Sequence, residues 1–244
     1  MLSVITVTFE DPLGLRDTLQ SISSLLGRRD CEVIVVNGSA DSATAEILGR
    51  FPGVKLIAEP DFGIYDAMNK GIAAASGDFL WFLNGGDKAT FEAMSADELL
   101  AILKNDPEVV WLFGFKLSNR KRMIQRRPRR AKYLLHGLPT SHQAMFFPYN
   151  SVREIGGYDL SYKISSDYYL AARLFAEGVQ FRRRDEPVAI FEIGGTSTKH
   201  AEQIAKDAER VQREVIGVSG LRRCCSRIRH RLSRAARSLL NTAR

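Results

Sequence analysis

Short apolar runs alternate with helically spaced apolar positions through the first half of the chain. Leu2–Thr8, Glu32–Asn37, Val54–Ala58 and Phe79–Asn84 predict strands, since each is a brief β-branched or apolar run that stops at polar residues or glycine. Between them, Leu13–Leu26, Ser42–Arg50 and Ile64–Ala75 predict helices. Leu15, Leu19, Ile22 and Leu26 recur at helical spacing, and Asp41 or Ser42 offers an N-cap to the second helix. The βαβαβαβ order predicts an α/β fold with a mostly parallel central sheet flanked by helices. Ligands of such sheets collect beyond the carboxyl ends of the strands. Those ends read Thr8-Phe9-Glu10, Asn37-Gly38-Ser39, Glu59-Pro60-Asp61 and Asn84-Gly85-Gly86-Asp87. Three of the four carry an acid.

The second half is less regular. It predicts a helix at Ala96–Lys104, a strand at Val109–Phe115, a short strand at Ala144–Phe147 begun by His142 and Gln143, and a helix from about Asp167 to Glu177. Strands near Gln180–Arg183 and Val188–Glu192 and a polar helix at His200–Ile216 follow. Repeats and low-complexity linkers are absent, so residues 1–218 read as one domain and 219–244 as a tail.

Composition narrows the setting. The 244 residues are 45% apolar, enough to bury a substantial core. The apolar runs are strand-sized, too short to cross a bilayer. The start, MLSVITVTF, lacks the basic region and small-residue cleavage site of a signal peptide and reads as a first strand. Three cysteines, two of them the adjacent Cys224 and Cys225, make neither a disulfide framework nor a zinc pattern, which implies a reducing, cytoplasmic setting.

The net charge of +7 is local in origin. Residues 219–244 hold eight arginines and no acid, and residues 116–132 hold nine Lys/Arg and no acid. Residues 1–218 balance at 27 basic and 28 acidic side chains. Two attachment surfaces are implied, in place of a generally cationic protein. In the tail, Leu221, Cys225, Ile228, Leu232, Ala235 and Leu239 recur at helical spacing among the arginines, which suits a helix lying on an anionic membrane; a disordered basic tail or one docked on a partner is the plainer reading. No helix-turn-helix, zinc finger or RNP motif occurs and aromatics do not interleave with the basic runs, which disfavours nucleic acid.

The stretch DFLWFLNGGD concentrates the chemistry. A buried strand ends in two glycines and one acid, Asp87. A lone carboxylate freed by glycines suits a divalent cation shared with substrate phosphates, or else caps the next element from a surface turn. The wider set decides between them: SVITVTFED, EVIVVNGSADSATAEIL, EPDFGIYDAMNKGIAAASGDFLWFLNGGD, HQAMFF and GGYDLSYKISSDYYLAARL, in this order, resembles family 2 glycosyltransferases of bacterial polysaccharide assembly. The resemblance runs from about Leu2 to Gly195, and the EPD-to-NGGD block is its most specific part.

The resemblance implies a GT-A fold, the nucleotide-diphospho-sugar transferase fold, with a donor-binding half at 1–115 and an acceptor-side half at 116–218. It implies inverting transfer of a sugar from a nucleotide-diphosphate sugar to an acceptor hydroxyl with Mn²⁺ or Mg²⁺, on the cytoplasmic face of a membrane when the acceptor is polyprenyl-linked. Asp87 then stands as the metal and diphosphate ligand, with Asn84 at the family's first acidic position. Asn37, Thr8, Glu10 and Asp61 would surround the nucleoside, and Asn69 and Lys70 would approach the sugar or diphosphate. Asp167, in Ser165-Ser166-Asp167, matches the family's general base. His142 and Gln143 match a segment lining the acceptor side, and His200 or Lys199 offers a further metal or diphosphate contact. The basic cluster at 116–132 would face lipid headgroups or the lipid diphosphate. A nucleotidyltransferase would need a glycine- and Arg/Lys-rich loop after the first strand, where FEDPLGLRD is acidic and glycine-poor. A catalytically inactive nucleotide-sugar-binding or membrane scaffold module is the alternative, kept alive by asparagine at positions 37 and 84.

Overall fold

A computed structural model describes residues 1–39, 41–119, 122–192 and 200–219. The first half follows the hydrophobic pattern closely. Strand β1 (Leu2–Thr8) leads to α1 (Pro12–Ser21), β2 (Cys31–Asn37), α2 (Ser42–Leu48), β3 (Val54–Ala58), α3 (Ile64–Ala74) and β4 (Phe79–Phe82). Helix α1 stops at Ser21 and continues as a 3-10 turn over Ser23–Leu25, so the expected single helix to Leu26 is shorter and broken. Asp11 and Asp41 cap α1 and α2, accepting from the N–H of Gly14 and Thr44.

The second half supplies β5 (Lys88–Ala89), α4 (Ala96–Asn105), β6 (Val110–Asn119), β7 (Arg122–Arg126), β8 (Met145–Pro148), α5 (Tyr149–Glu154), α6 (Ser166–Ala176), β9 (Phe181–Glu192) and α7 (Ala201–Glu214). Three expectations change here. His142 and Gln143 form a 3-10 turn that precedes β8 and do not begin the strand. The two strands expected around 180–192 are one twelve-residue strand, which keeps pairing with β6 across an irregularity at Gly114. A Cβ at Gly114 would lie 2.5 Å from the Asp185 carbonyl oxygen, so the irregular crossing needs glycine. The third change is the hairpin strand β7, which the basic composition of 116–132 concealed.

All nine strands join one sheet in the order β3-β2-β1-β4-β8-β6-β9-β5, with β7 extending the hairpin from β6. The sheet is parallel from β3 to β4, as expected, and mixed beyond, where β8 runs antiparallel to both β4 and β6. Apolar side chains fill both faces, with Leu15, Leu19, Trp81 and Phe146 on one and Met68, Phe82, Phe147 and Leu170 on the other. Two-sided burial explains why Phe79–Leu83 is a continuous apolar run with no alternation. The basic tail from Gly220 onward and Lys199 lie outside the described residues.

Candidate active site

The carboxyl ends of β1 and β2 form one side of the site. Thr8 and Asn37 are level with each other and buried. Asn37 accepts from the Ser39 N–H (3.1 Å) and donates to Asp41 (3.3 Å), so its amide is held by the turn that follows β2. Ser39 Oγ lies between Asn37 Oδ1 (2.8 Å) and Asp41 (2.6 Å), and its single proton serves one of them at a time. That hydroxyl and the two N–H and O–H groups of Thr44 hold the Asp41 carboxyl well below the usual range. Across the strand end, Glu10 is in the left-handed region (φ 50°), the one non-glycine residue there among the described residues. Asp61 folds over Gly38, where a Cβ would lie 2.0 Å from its Oδ2; only glycine admits the carboxylate so close to the end of β2.

The turn after β4 answers why two glycines precede the acid. A Cβ on Gly85 would sit 3.2 Å from Thr8 Oγ1, so β4 can close against the end of β1. Gly86 has φ 93°, which a side chain would strain. Thr18, buried on α1, clamps the turn: its hydroxyl lies 2.7 Å from the Asp87 carbonyl and accepts from the Gly86 N–H (3.0 Å). The turn presents the Asp87 carboxylate, whose Oδ2 accepts from Gln143 Nε2 (2.9 Å) and the Asn84 N–H (3.2 Å). Burial outweighs both donors and pushes this carboxyl up to about 6. Asn84 Oδ1 is buried without a hydrogen-bond partner.

Asp167 occupies the first turn of α6 and accepts from the Tyr168 N–H (2.7 Å). Burial raises its carboxyl to about 6, and the charge of Asp207 adds to the rise, while backbone donors, the Tyr168 N–H first among them, oppose it. Asp207, nearly fully buried on α7, accepts from the N–H groups of Ile164 and Ser165 (3.3 Å each) and from Gln203 (2.7 Å). It therefore fixes the backbone that leads into Asp167.

One line of contacts joins the two acids. Gln143 bonds Asp87; its neighbour His142 bonds the Tyr158 hydroxyl (2.8 Å); Tyr158 stacks on Tyr65 at 5.4 Å; and Tyr65 donates to the Ile164 carbonyl, three residues before Asp167. Gln143, expected on the acceptor side, thus touches the acid expected to hold metal. His142 lies buried among Phe82, Phe147 and Tyr158, and burial lowers its pKa to about 4, which leaves the ring neutral at pH 7. Asn69 exchanges two 2.9 Å hydrogen bonds with the backbone of Tyr158, an arrangement that ties the GGYD turn to α3. Lys70 is engaged by the Pro60 carbonyl, Glu59 (3.2 Å) and Asp66 (3.4 Å), and so braces the loop holding Asp61. His200 is exposed at the start of α7, where its carbonyl accepts from Ile204.

Thr18, Asp207 and Tyr65 were not singled out from the sequence. Each contacts a partner more than 40 positions away, and no periodicity carries that information. Tyr65 alone had a local signal, since it lies inside the EPDFGIYDAMNKG block.

Among the described residues, no three His, Cys, Asp or Glu side chains gather as a metal-binding group. The oxygen set at the β4 turn nevertheless fits a hard divalent cation, which uses few protein ligands and completes its shell with water and phosphate. Asp87 supplies a destabilised carboxylate and Asn84 a buried carbonyl oxygen lacking any donor. A separate cleft, bordered by Met1, Arg28, Asp78 and Asp97, opens at the amino ends of β1 and β4, away from these acids.

This fold is shared with solved glycosyltransferases. The TarS fragment of S. aureus in complex with UDP superposes with a TM-score of 0.70 at 15% identity, covering 92% of this chain and 68% of that one. A mannosyltransferase of Pyrobaculum calidifontis, solved with GDP-Man and Mn²⁺, gives 0.62 at 17% identity over 99% of this chain and 79% of the other. These likenesses define a GT-A fold.

The sequence of residues 3–158 matches the family model described as Glycosyl transferase family 2. An uncharacterized glycosyltransferase of Mycobacterium tuberculosis is 39% identical over 187 residues, 74% of this chain and 71% of the relative. A PGL/p-HBAD biosynthesis glycosyltransferase of Mycobacterium bovis is 28% identical over 184 residues, 72% and 70% of the two chains. The chain belongs to the family 2 glycosyltransferases.

Proposed function

We propose that this protein is an inverting hexosyltransferase of cell-surface polysaccharide synthesis. It moves a sugar from a nucleotide-diphosphate sugar, a UDP-sugar first among the candidates, to a hydroxyl of a glycan or polyprenyl-diphosphate-linked acceptor. The observation that carries the reading is the line of contacts from Asp87 through Gln143, His142, Tyr158 and Tyr65 to Asp167. It links two carboxyl groups with the same raised pKa and opposite needs. Support for a nucleotide-sugar donor comes from the fold neighbours, one solved with UDP-GlcNAc and another with GDP-Man and Mn²⁺.

In this reading Asp167 is the general base. The acceptor oxygen attacks the anomeric carbon opposite the leaving nucleoside diphosphate, and Asp167 takes the hydroxyl proton as the new bond forms. A carboxyl near 6 holds a proton better than an ordinary one yet is mostly ionised at neutral pH, the compromise a base requires. Asp87, with Asn84 Oδ1, would hold Mn²⁺ or Mg²⁺. When bound, the cation neutralises charge on the departing diphosphate. Thr8, Glu10, Asn37 and Asp61 bind the nucleoside, Gln143 orients Asp87, and His142 supports the acceptor side from within the core. Asn69 and Lys70 act by bracing the donor loop and the GGYD turn, and His200 stays a candidate donor contact on resemblance alone. Residues 1–115 and 116–218 act as donor and acceptor halves of one domain, and the basic tail attaches it to the cytoplasmic face of the membrane.

Calorimetry with UDP-, GDP- and dTDP-sugars, with and without Mn²⁺, tests this directly. Binding of one nucleotide class, strengthened by Mn²⁺, is expected. No binding under any of these conditions would overturn the reading.

A further inference from the structure

Strand β7 and the segment after it carry Arg122, Arg126, Arg127, Arg129 and Arg130 with no acid among them, and nothing in the donor or catalytic chemistry uses them. Strand β7 pairs with β6 alone and is exposed along its whole length. Alternation along the strand puts Ile124 on one face between Arg122 and Arg126, and Met123 on the other. Met123 is 55% exposed and Ile124 40%, although both are large apolar residues. Arg127, Arg129 and Arg130 continue the basic surface directly after the strand. Among them Arg127 faces Asp185 at 3.5 Å and Arg129 lies over the Tyr133 ring.

An exposed edge strand that ends in apolar side chains invites aggregation unless charge or a partner covers it. Here apolar and cationic side chains alternate, the composition that seats in the headgroup layer of an anionic bilayer. Ile124 would enter the acyl boundary while the stems of Arg122 and Arg126, on the same face, snorkel to the phosphates. Nucleic acid suits the surface less well. Met123 and Ile124 find no partner on a phosphodiester backbone, and β7 offers no aromatic ring for base stacking.

Position relative to the site makes the contact purposeful. Lys88, next to Asp87, is level with Ile190 of β9, Ile190 with Lys116 of β6, and Lys116 with Gln125 of β7. Three strand spacings therefore separate the Asp87 turn from the hairpin, about 15 Å along the sheet. A bilayer touching β7 would therefore lie near the site that the proposed lipid-linked acceptor has to reach.

We propose that the β6–β7 hairpin docks on an anionic lipid bilayer through Ile124, the arginines flanking it on the same face and those that follow the strand. This rests on the membrane-surface part of the function proposed above and is independent of donor identity. It adds a contact on the folded domain that is distinct from the basic tail.

The test uses the full chain carrying Ile124→Trp, with the wild-type protein supplying the background of its two native tryptophans. Vesicles of phosphatidylcholine with phosphatidylglycerol should shift the added emission to the blue, and brominated lipid should quench it. Pure phosphatidylcholine should do neither. Arg126→Gln with Arg130→Gln should weaken binding to the anionic vesicles roughly 25-fold, at about fivefold per basic residue lost. Emission unchanged while the protein sediments with vesicles would assign membrane binding elsewhere and overturn the proposal, as would no sedimentation at all. A response to a random RNA oligonucleotide but not to vesicles would replace it with a nucleic-acid surface. Nucleotide-sugar binding measured on the same samples keeps the two readings apart, since its loss bears on the transferase and not on the hairpin.

Discussion

Asp87 and Asp167 share a shifted pKa and differ in everything that surrounds it. Burial is the main cause in both, and each carboxyl reaches about 6. Asp87 is approached by the Gln143 amide and the Asn84 N–H, and the same turn holds the unpartnered carbonyl of Asn84. Both of its donors are neutral, and the turn contains a spare oxygen, so a cation would relieve it. Asp167 sits at a helix start with backbone donors, and a second acid, Asp207, stands behind it. Its donors favour the anion and its like-charged neighbour opposes it, so a proton relieves them. In the proposed function these equal shifts prepare one acid for a metal and the other for proton transfer, and the neighbours decide which.

The largest effect that would break this comparison is on turnover. Asp167→Asn should lower kcat by about 10²–10⁴ and leave donor affinity within about twofold. Asp87→Asn should give the reverse split, with donor affinity in Mn²⁺ falling at least about tenfold and the Mn²⁺ dependence flattening. Steady-state kinetics with calorimetry on both variants reads the two together. If Asp87→Asn and Asp167→Asn lose donor affinity alike, the two acids form one site and the contrast fails.

Stability sharpens the comparison at the next level. An ordinary aspartate titrates near 3.9. Between that value and about 6 the unfolded chain releases protons that these two folded carboxyls retain, so the native state binds more protons than the unfolded one. Stability from these groups is full below pH 4, falls as pH rises through 6, and stays low above it. Asp87→Asn and Asp167→Asn should accordingly raise Tm at pH 8 and lose that advantage by pH 4. Mn²⁺ with a nucleotide should shrink the gain for Asp87→Asn alone, because bound ligand already stabilises the wild-type carboxylate. Thermal melts at the two pH values check the sign, and an equal gain at both would refute the burial account.

How far the sequence carried this site follows the same division. β1 and β3 appear with their predicted boundaries. The partly exposed β3 is legible because its short β-branched run is bounded by Gly53 and Glu59. β1 is legible because a strand buried on both faces shows as a nearly continuous apolar segment. The acids at the ends of β4 and α6 were legible for the same reason, combined with the ordered motifs. The chemistry of each acid was not legible, since it depends on Gln143, Thr18, Tyr65 and Asp207, which the fold brings from 56, 69, 99 and 42 positions away from their partners. Asp207 lies in a polar helix and reads as a solvated side chain until α7 packs against the Ile164–Ser165 backbone. The hairpin strand β7 was hidden for a further reason: its Arg-Met-Ile-Gln-Arg sequence has no buried face to pattern.

The smallest predicted effect concerns Lys70, where the motif and the geometry point in different directions. By resemblance it would touch the donor, and a cation lost from a diphosphate site weakens binding at least about tenfold. In the structure its ammonium is already engaged by the Pro60 carbonyl, Glu59 and Asp66, with the side chain 22% exposed. These partners lie on the loop after β3 and the first turn of α3, so the lysine secures the backbone that carries Asp61. Partly exposed ion pairs contribute little, so Lys70→Ala should lower Tm by at most about 3 °C and change donor affinity by less than about twofold. Lys70→Met, which keeps the stem and removes the charge, should recover part of the Tm loss through packing against α3. A tenfold loss of donor affinity in both variants, with Tm unchanged, would return Lys70 to the diphosphate and make Asp87 one of two charged residues holding it.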